Sequence, residues 1–234
     1  MDIVTLDRIA FRLERRAWPF AEDNRAAIDE HFREAQAAQP ALWNGRVLLA
    51  CDHAIADRVM TGAYLETDFA SFLAWRDWGF ADRSVRNIFP QAVLRAADGA
   101  FLLGVMADHT ANPGQVYFPS GTPDLSDIDG DRVDLDGNLR RELGEETGLN
   151  ADDLAVEPGW TAVLDGPRIA LLRTVTAETS AEALRRHILD YLAGIAEPEL
   201  VDILIMRSPA DYVPRMTGYV TAYLDNAFGR RRGC

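Results

Sequence analysis

Arg141-Glu142-Leu143-Gly144-Glu145-Glu146-Thr147-Gly148-Leu149 is the stretch whose reading decides the fold. Its composition favours a helix, and Gly148 stands where a helix would end. Residues spaced i, i+3 and i+4 share a helix face, so Glu142, Glu145 and Glu146 fall within one narrow arc. Like charges at that spacing weaken a helix. At about 4 Å each pair repels by about 1 kcal/mol in water, and by about 4 kcal/mol at an effective dielectric near 20. No lysine lies within a turn to relieve them. A divalent cation would, because hard cations such as Mg²⁺ take carboxylate oxygen.

Taken alone, three glutamates read as a solvated acidic face. The rest of the string overturns that reading. It resembles the second half of the Nudix box, G-x5-E-x7-R-E-U-x-E-E-x-G-U with U a bulky aliphatic: Arg141, Glu142, Leu143, Glu145, Glu146, Gly148 and Leu149 all match. The first half departs from the pattern. Tyr117-Phe118-Pro119-Ser120-Gly121 resembles the loop before the box, with Ser120 in place of a glycine and Gly121 opening the box. Six extra residues then lie between Gly121 and Arg141. The first glutamate of the box, which supports the arginine in the family, has no counterpart. Val133 occupies its place with Asp134 adjacent, and Asp134 is expected to cap the box helix.

The resemblance implies an α/β (α+β) fold, an α-β-α sandwich with a mixed sheet. It implies metal-dependent hydrolysis of the pyrophosphate bond in a nucleoside diphosphate linked to another moiety. Glu142, Glu145 and Glu146 would hold Mg²⁺ or Mn²⁺. Glu142 or Glu145 would serve as base, and Arg141 would orient a glutamate through its planar fork. A further acid usually comes from a later loop, where Glu197 and Glu199 stand, and Glu199 is taken as the additional metal ligand. The alternative is a Nudix-fold module that has lost turnover and binds a nucleotide-like ligand. Relatives commonly dimerise, so a homodimer is carried as an expectation.

The acidic insertion, Asp124 to Asp136, carries six aspartates. Asp127, Asp129 and Asp131 alternate like a calcium loop, but Arg132 replaces the required Gly and Asn138 the closing Glu. It reads as a solvated, turn-rich loop.

Composition narrows the class. The chain has 234 residues, 48% of them hydrophobic, and a net charge of −13. Such a surface repels nucleic-acid polymers, which demand Lys and Arg along the phosphates. Arg230-Arg231-Arg232 lacks aromatic interleaving and reads as a solvated terminus. No apolar run approaches the ~20 residues of a membrane helix. Met1-Asp2-Ile3-Val4 lacks a signal peptide's basic start. Cys51 and Cys234 make no disulfide framework, and a cytoplasmic location is expected. His31, His53, His109 and His187 are scattered without metal spacing, although His109 and Asn112 sit in a loop able to border a pocket. No Gly-Lys-Ser/Thr phosphate loop, serine elbow or coenzyme A signature is present.

The chain divides near residue 85, into a 1–85 extension and an 86–234 main domain. In the main domain, strands are expected at Ile88–Leu94, Phe101–Ala107, Gln115–Phe118, Trp160–Leu164, Arg168–Val175 and Leu200–Met206. The box helix is expected over Leu135–Thr147, unless Gly137 delays it. A helix follows a Thr179/Glu182 capping box, and another spans Val213–Phe228. In the extension, Ala21–Gln39 reads as a helix and Val47–Cys51 as a strand. Phe69, Phe72, Trp75 and Trp78 recur at helical spacing. That stripe fits a core face better than a base-stacking platform. Ala41 to Leu49, ALWNGRVLL, is similar to a Nudix branch acting on UDP-sugars.

Overall fold

The computed structural model describes residues 1–232, without the side chains from 230 onward; the Arg230-Arg231-Arg232 side chains and Cys234 therefore lie outside the described residues. The fold is mixed α+β, with two mixed sheets and six helices among the described residues. The first sheet runs β1 (Asp2–Leu6), β11 (Trp160–Asp165), β12 (Arg168–Thr176), β5 (Asn87–Arg95), β6 (Phe101–Met106), β13 (Leu200–Met206). Two short strands join it: β10 (Ala155–Val156) on β12, and β7 (Val116–Tyr117) on β6. The second sheet runs β3 (Arg46–Ala56), β4 (Val59–Asp68), β2 (Arg8–Leu13), β9 (Arg132–Val133), β8 (Ile128–Asp129).

The centre of the first sheet explains where the site forms. β5 is buried along almost its whole length and runs parallel to β12. A near-continuous apolar run suits such a strand, covered on both faces. On its other side β5 pairs with β6 only at Arg95↔Phe101. Pro90, which cannot donate to a ladder, lies in the part of β5 that does not pair with β6, opposite Leu171 of β12. The segment leading to the box enters this gap: Ala92 N–H donates to Pro119 O at 2.9 Å, and Gln91 Nε2 to Phe118 O at 3.3 Å.

Helix α4 (Leu135–Thr147) packs on β5, and α5 (Ala181–Leu192) on β13 and β6; α6 (Gly218–Arg232) packs on β11. The extension adds α1 (Pro19–Asp23), α2 (Arg25–Ala38) and α3 (Phe69–Asp77) around the second sheet. α3 is begun by Asp68, whose side chain accepts the Ser71 N–H at 2.7 Å. It carries Phe72 and Trp75 into a cluster with Trp18, Leu49 and Leu65, so the aromatic stripe is mainly core.

Several expectations need correction. The helix expected over Ala21–Gln39 breaks at Asn24. The cap of α5 is Ser180, accepting from Ala183 N–H, instead of Thr179. The closing helix starts at Gly218, after a 3-10 turn at Pro209–Asp211. Strands β1, β2 and β4 had no clear signal. The two parts also exchange strands: β1 of the extension pairs with β11, and β8 and β9 of the acidic insertion complete the extension's sheet.

Gly148 closes α4 in the left-handed region at φ +72, with its N–H on Gly144 O at 2.8 Å. A Cβ there would meet the Tyr191 ring at 2.5 Å. Gly148→Ala is therefore expected to lower stability by more than ~1 kcal/mol, through strain and displacement of Tyr191. An unchanged thermal midpoint would contradict this.

Candidate active site

α4 begins at Leu135 despite Gly137, and its Leu135, Leu139 and Leu143 line up on the core side. That packing fixes the rotation of the helix and thereby the exposure of each acid. Glu146 is 4% exposed, the Glu142 side chain 13%, and the Glu145 side chain 61%. Gly121 makes room for Glu142: a Cβ at this position would lie 2.1 Å from Glu142 Oε1. The Ser120 N–H donates to Glu146 Oε2 at 3.2 Å, and the Ser120 hydroxyl accepts from Gln91 Nε2 at 3.2 Å. The serine at the family's glycine position thus ties the loop to β5 while its backbone serves the glutamate.

Burial pushes the Glu142 carboxyl up to about 7; Arg141 opposes the shift, and Glu145, Glu199 and Asp127 add to it. Glu142 lies 2.8 Å from Arg141 Nη1. The arginine therefore does not outweigh the loss of water and the neighbouring acids. Burial drives Glu146 well above the usual carboxylate range, with Glu142 and Glu199 contributing. Glu146 Oε1 is buried with no hydrogen-bond partner among the described residues. Burial disfavours the Arg141 charge, yet Glu142 and Asp127 hold its guanidinium above the ordinary arginine range.

The residue that partners Arg141 most deeply is Asp127, from the insertion. Its side chain is 3% exposed and receives Arg141 Nη2 at 3.2 and 3.3 Å. Asn138 Nδ2, itself buried, donates to it at 2.8 Å. The insertion is thus not wholly the solvated loop expected from its composition. Asp134 occupies the N-cap position but makes no side-chain cap; it faces Arg132 at 3.3 Å. Counted forward from Gly121, Asp127 stands at the place of the box's first acid, with the six extra residues after it; counting back from Arg141 had put that place at Val133 and so missed Asp127, which lies 14 residues from Arg141.

Glu142 and Glu199 line one cavity of about 340 Å³ between the extension and the main sheet. Phe69, Phe72 and Phe80 come from the extension; Phe89, Tyr117 and Tyr219 come from the main sheet and α6. Arg76, Asn112, Asn87 and Arg168 add polar groups. Asn112 reaches this wall as its loop position suggested, while His109 is not among the lining residues. Glu197 is exposed and outside the cavity. A larger open groove of about 1160 Å³, near Trp18 and Arg25, contains none of the box residues.

The resemblance implies a divalent cation, and the donors fit it in kind. Glu142, Glu146 and Glu199 supply hard oxygen, Glu142 and Glu199 add to the upward shift that burial imposes on Glu146, and Glu146 offers an orphan atom. As the side chains stand, no three His, Cys, Asp or Glu among the described residues are gathered to hold a metal ion. Arg141 Nη1 is shared instead between Glu142 and Glu145, the latter at 3.2 Å.

No protein-family model matches the chain. No curated protein matches it either. Among solved structures, the fold resembles a Nudix hydrolase from M. smegmatis, RenU, at 17% identity and a TM-score of 0.39, over 63% of this chain and 87% of that one. It also resembles a MutT protein from Methanosarcina mazei Go1, at 15% identity and 0.40, over 63% and 95%. A third is a bifunctional NMN adenylyltransferase/ADP ribose pyrophosphatase from Francisella tularensis, at 14% identity and 0.44, over 66% of this chain and 44% of that one. These are partial likenesses of fold. No helix among the described residues is long and apolar enough to cross a membrane.

The raised Glu142 carboxyl gives a pH test. Its folded value, about 7, exceeds the ordinary 4.5. The folded chain therefore binds more protons than the unfolded chain between those values, and stability falls as pH rises through that window. The full effect is on the order of 3 kcal/mol. Glu142→Gln is expected to match the wild type near pH 5 and to become progressively more stable than it towards pH 8, without divalent cation. A gap independent of pH in thermal unfolding would contradict the assignment.

Proposed function

We propose that this protein is a Nudix-type pyrophosphohydrolase, cleaving the pyrophosphate bond of a nucleoside diphosphate linked to another moiety with Mg²⁺ or Mn²⁺. One observation carries the proposal: Arg141–Thr147 folds as one helix, closed by Gly148, that sets Glu142 on the wall of a cavity also lined by Glu199, with Glu146 buried behind. A chance match to the motif would have no reason to bury two adjacent glutamates beside a third acid contributed from before β13.

Glu142, Glu146 and Glu199 would hold the cation, with Glu145 at its open edge. When bound, the cation neutralises pyrophosphate charge and lowers the pKa of a water. The chain's own groups supply the rest. Glu142, with its carboxyl near 7, accepts and returns a proton at neutral pH. Arg141 Nη1 fixes the orientation of Glu142. Arg168 and Arg76, on the cavity wall, suit a ligand phosphate, and the aromatic banks suit a planar base. A small nucleoside diphosphate derivative is thus the partner. A homodimer and a cytoplasmic location belong to the same reading.

One observation favours a second reading, a module that binds a nucleotide-like ligand without turnover. Arg141 already engages two box glutamates, and no three-carboxylate group is assembled. A panel of nucleoside diphosphate compounds with Mg²⁺ or Mn²⁺ separates the two. Turnover is expected, lowered about 100-fold or more by Glu142→Gln and by Glu146→Gln. Tight ligand binding with no product from any compound would support the module instead.

A further inference from the structure

Tyr117, the last residue of β7, is 6% exposed and lines the cavity that Glu142 and Glu199 share. Its hydroxyl has one partner among the described residues, Asn112 Nδ2 at 3.3 Å. The direction of that bond is decided one step back. Arg76 Nη1 lies 3.3 Å from Asn112 Oδ1 and 3.4 Å from Ala111 O. A guanidinium only donates, so the Asn112 oxygen must face it and the amide nitrogen must face Tyr117. The Tyr117 oxygen therefore accepts. Its own proton is left over, and no described residue takes it.

Neither Arg76 nor Asn112 is loose. Arg76 lies in the last turn of α3, its Nε donating to Asp77 Oδ1 at 2.8 Å. The loop carrying Asn112 is pinned from the extension by Gln39 Nε2, which donates to Asp108 O and Thr110 O at 3.0 Å each. Gly114 N–H on Met106 O, at 2.9 Å, pins it to the main sheet. Burial pushes the Tyr117 phenol up; the Asn112 bond opposes the shift, and Glu146, Tyr219 and Glu199 add to it. The hydroxyl thus keeps its proton at neutral pH. Those acids also place it beside the groups where a pyrophosphate has to lie. At the far end of the same chain, Arg76 Nη2 meets no acceptor among the described residues, and Arg76 lines the same cavity. Two unengaged donors, one of them cationic, suit a group with negative charge and several acceptor oxygens. We propose that the Tyr117 hydroxyl, its proton turned into the cavity by Asn112, donates to a phosphoryl oxygen of the bound ligand's diphosphate, with Asn112 as its positioning residue. This rests on the reading of the cavity as a diphosphate site. It also gives the extension a part in the chemistry: Arg76 sets the amide, and the amide sets the phenol.

The test uses the full chain with Tyr117→Phe, Asn112→Asp and the double variant. The probe is methylenediphosphonate, a diphosphate mimic whose P–C–P bridge resists hydrolysis, titrated by calorimetry in saturating Mg²⁺. Tyr117→Phe deletes only the donor, and affinity is expected to fall about tenfold. Asn112→Asp keeps the hydroxyl but offers it an acceptor on the wrong side, since a carboxylate there faces Arg76 and takes the Tyr117 proton as well. Affinity is expected to fall about as far. The double variant decides between this and a mere change of charge. With the proton already turned away, adding Tyr117→Phe to Asn112→Asp is expected to cost less than about twofold more. Added negative charge alone predicts that the two losses multiply, and that result would overturn the proposal. So would Tyr117→Phe binding like wild type, or a wild type that takes up no diphosphonate. Should Asn112→Asp not fold, Tyr117→Phe alone decides by the same limits. Turnover is the second readout. On any compound the wild type cleaves, Tyr117→Phe is expected to lower kcat/KM about tenfold or more, and an unchanged value would overturn the proposal. A wild type that binds the diphosphonate and cleaves nothing counts against the proposed function alone.

Discussion

Everything at the site depends on keeping adjacent carboxylates out of water. Glu142 and Glu146 lie one helical turn apart on the flank of α4 that its leucines press against the sheet. Water no longer screens them, burial pushes both carboxyls up, and Glu142 adds to the shift of Glu146. At neutral pH such groups stay protonated, pair with a cation, or destabilise the fold. Arg141 offsets part of the conflict, and the orphan Oε1 of Glu146 marks what it leaves over. A fold under selection for stability alone would carry leucine or glutamine at these positions. The cost makes sense where charge has to be neutralised by something that comes and goes.

The architecture places this pressure point with care. β5 and β6 separate beyond the Arg95↔Phe101 pair, the loop from Phe118 to Gly121 fills the gap, and its backbone touches both glutamates' surroundings. The cavity opens where α3 of the extension approaches the main sheet, so its aromatic walls come from α3 and the loop after it on one side and from β5, β7 and α6 on the other. Exchange of β1 in one direction and of β8 and β9 in the other makes the extension inseparable from the box. The insertion, which looks like an interruption of the motif, is the strap between them.

What the sequence disclosed follows the range of the interactions involved. The box helix is legible to the residue, because its leucine spacing, its acids and Gly148 are local signals. β13 is legible for the same reason, as a short apolar run with clear ends. β1 and β2 are not: they are short, carry charges, and become strands only by pairing with β11 and β4, far along the chain. Asp127 was hidden more completely. Among six aspartates in an acidic stretch only its distance from Gly121 marks the buried one, and the six residues inserted after it mask that spacing when the count starts at Arg141. The cavity was half visible: Glu199 and Asn112 were expected near it, whereas Phe80, Phe89, Arg168 and Tyr219 converge only through tertiary packing.

The most direct measurement of the central idea is proton release on cation uptake. Calorimetry of Mg²⁺ or Mn²⁺ binding near pH 6.5, repeated in buffers of different ionisation enthalpy, counts the protons displaced. If Glu142 and Glu146 hold protons that a cation replaces, about one proton or more leaves per ion bound. Binding without proton release, or no binding at all, would contradict the account.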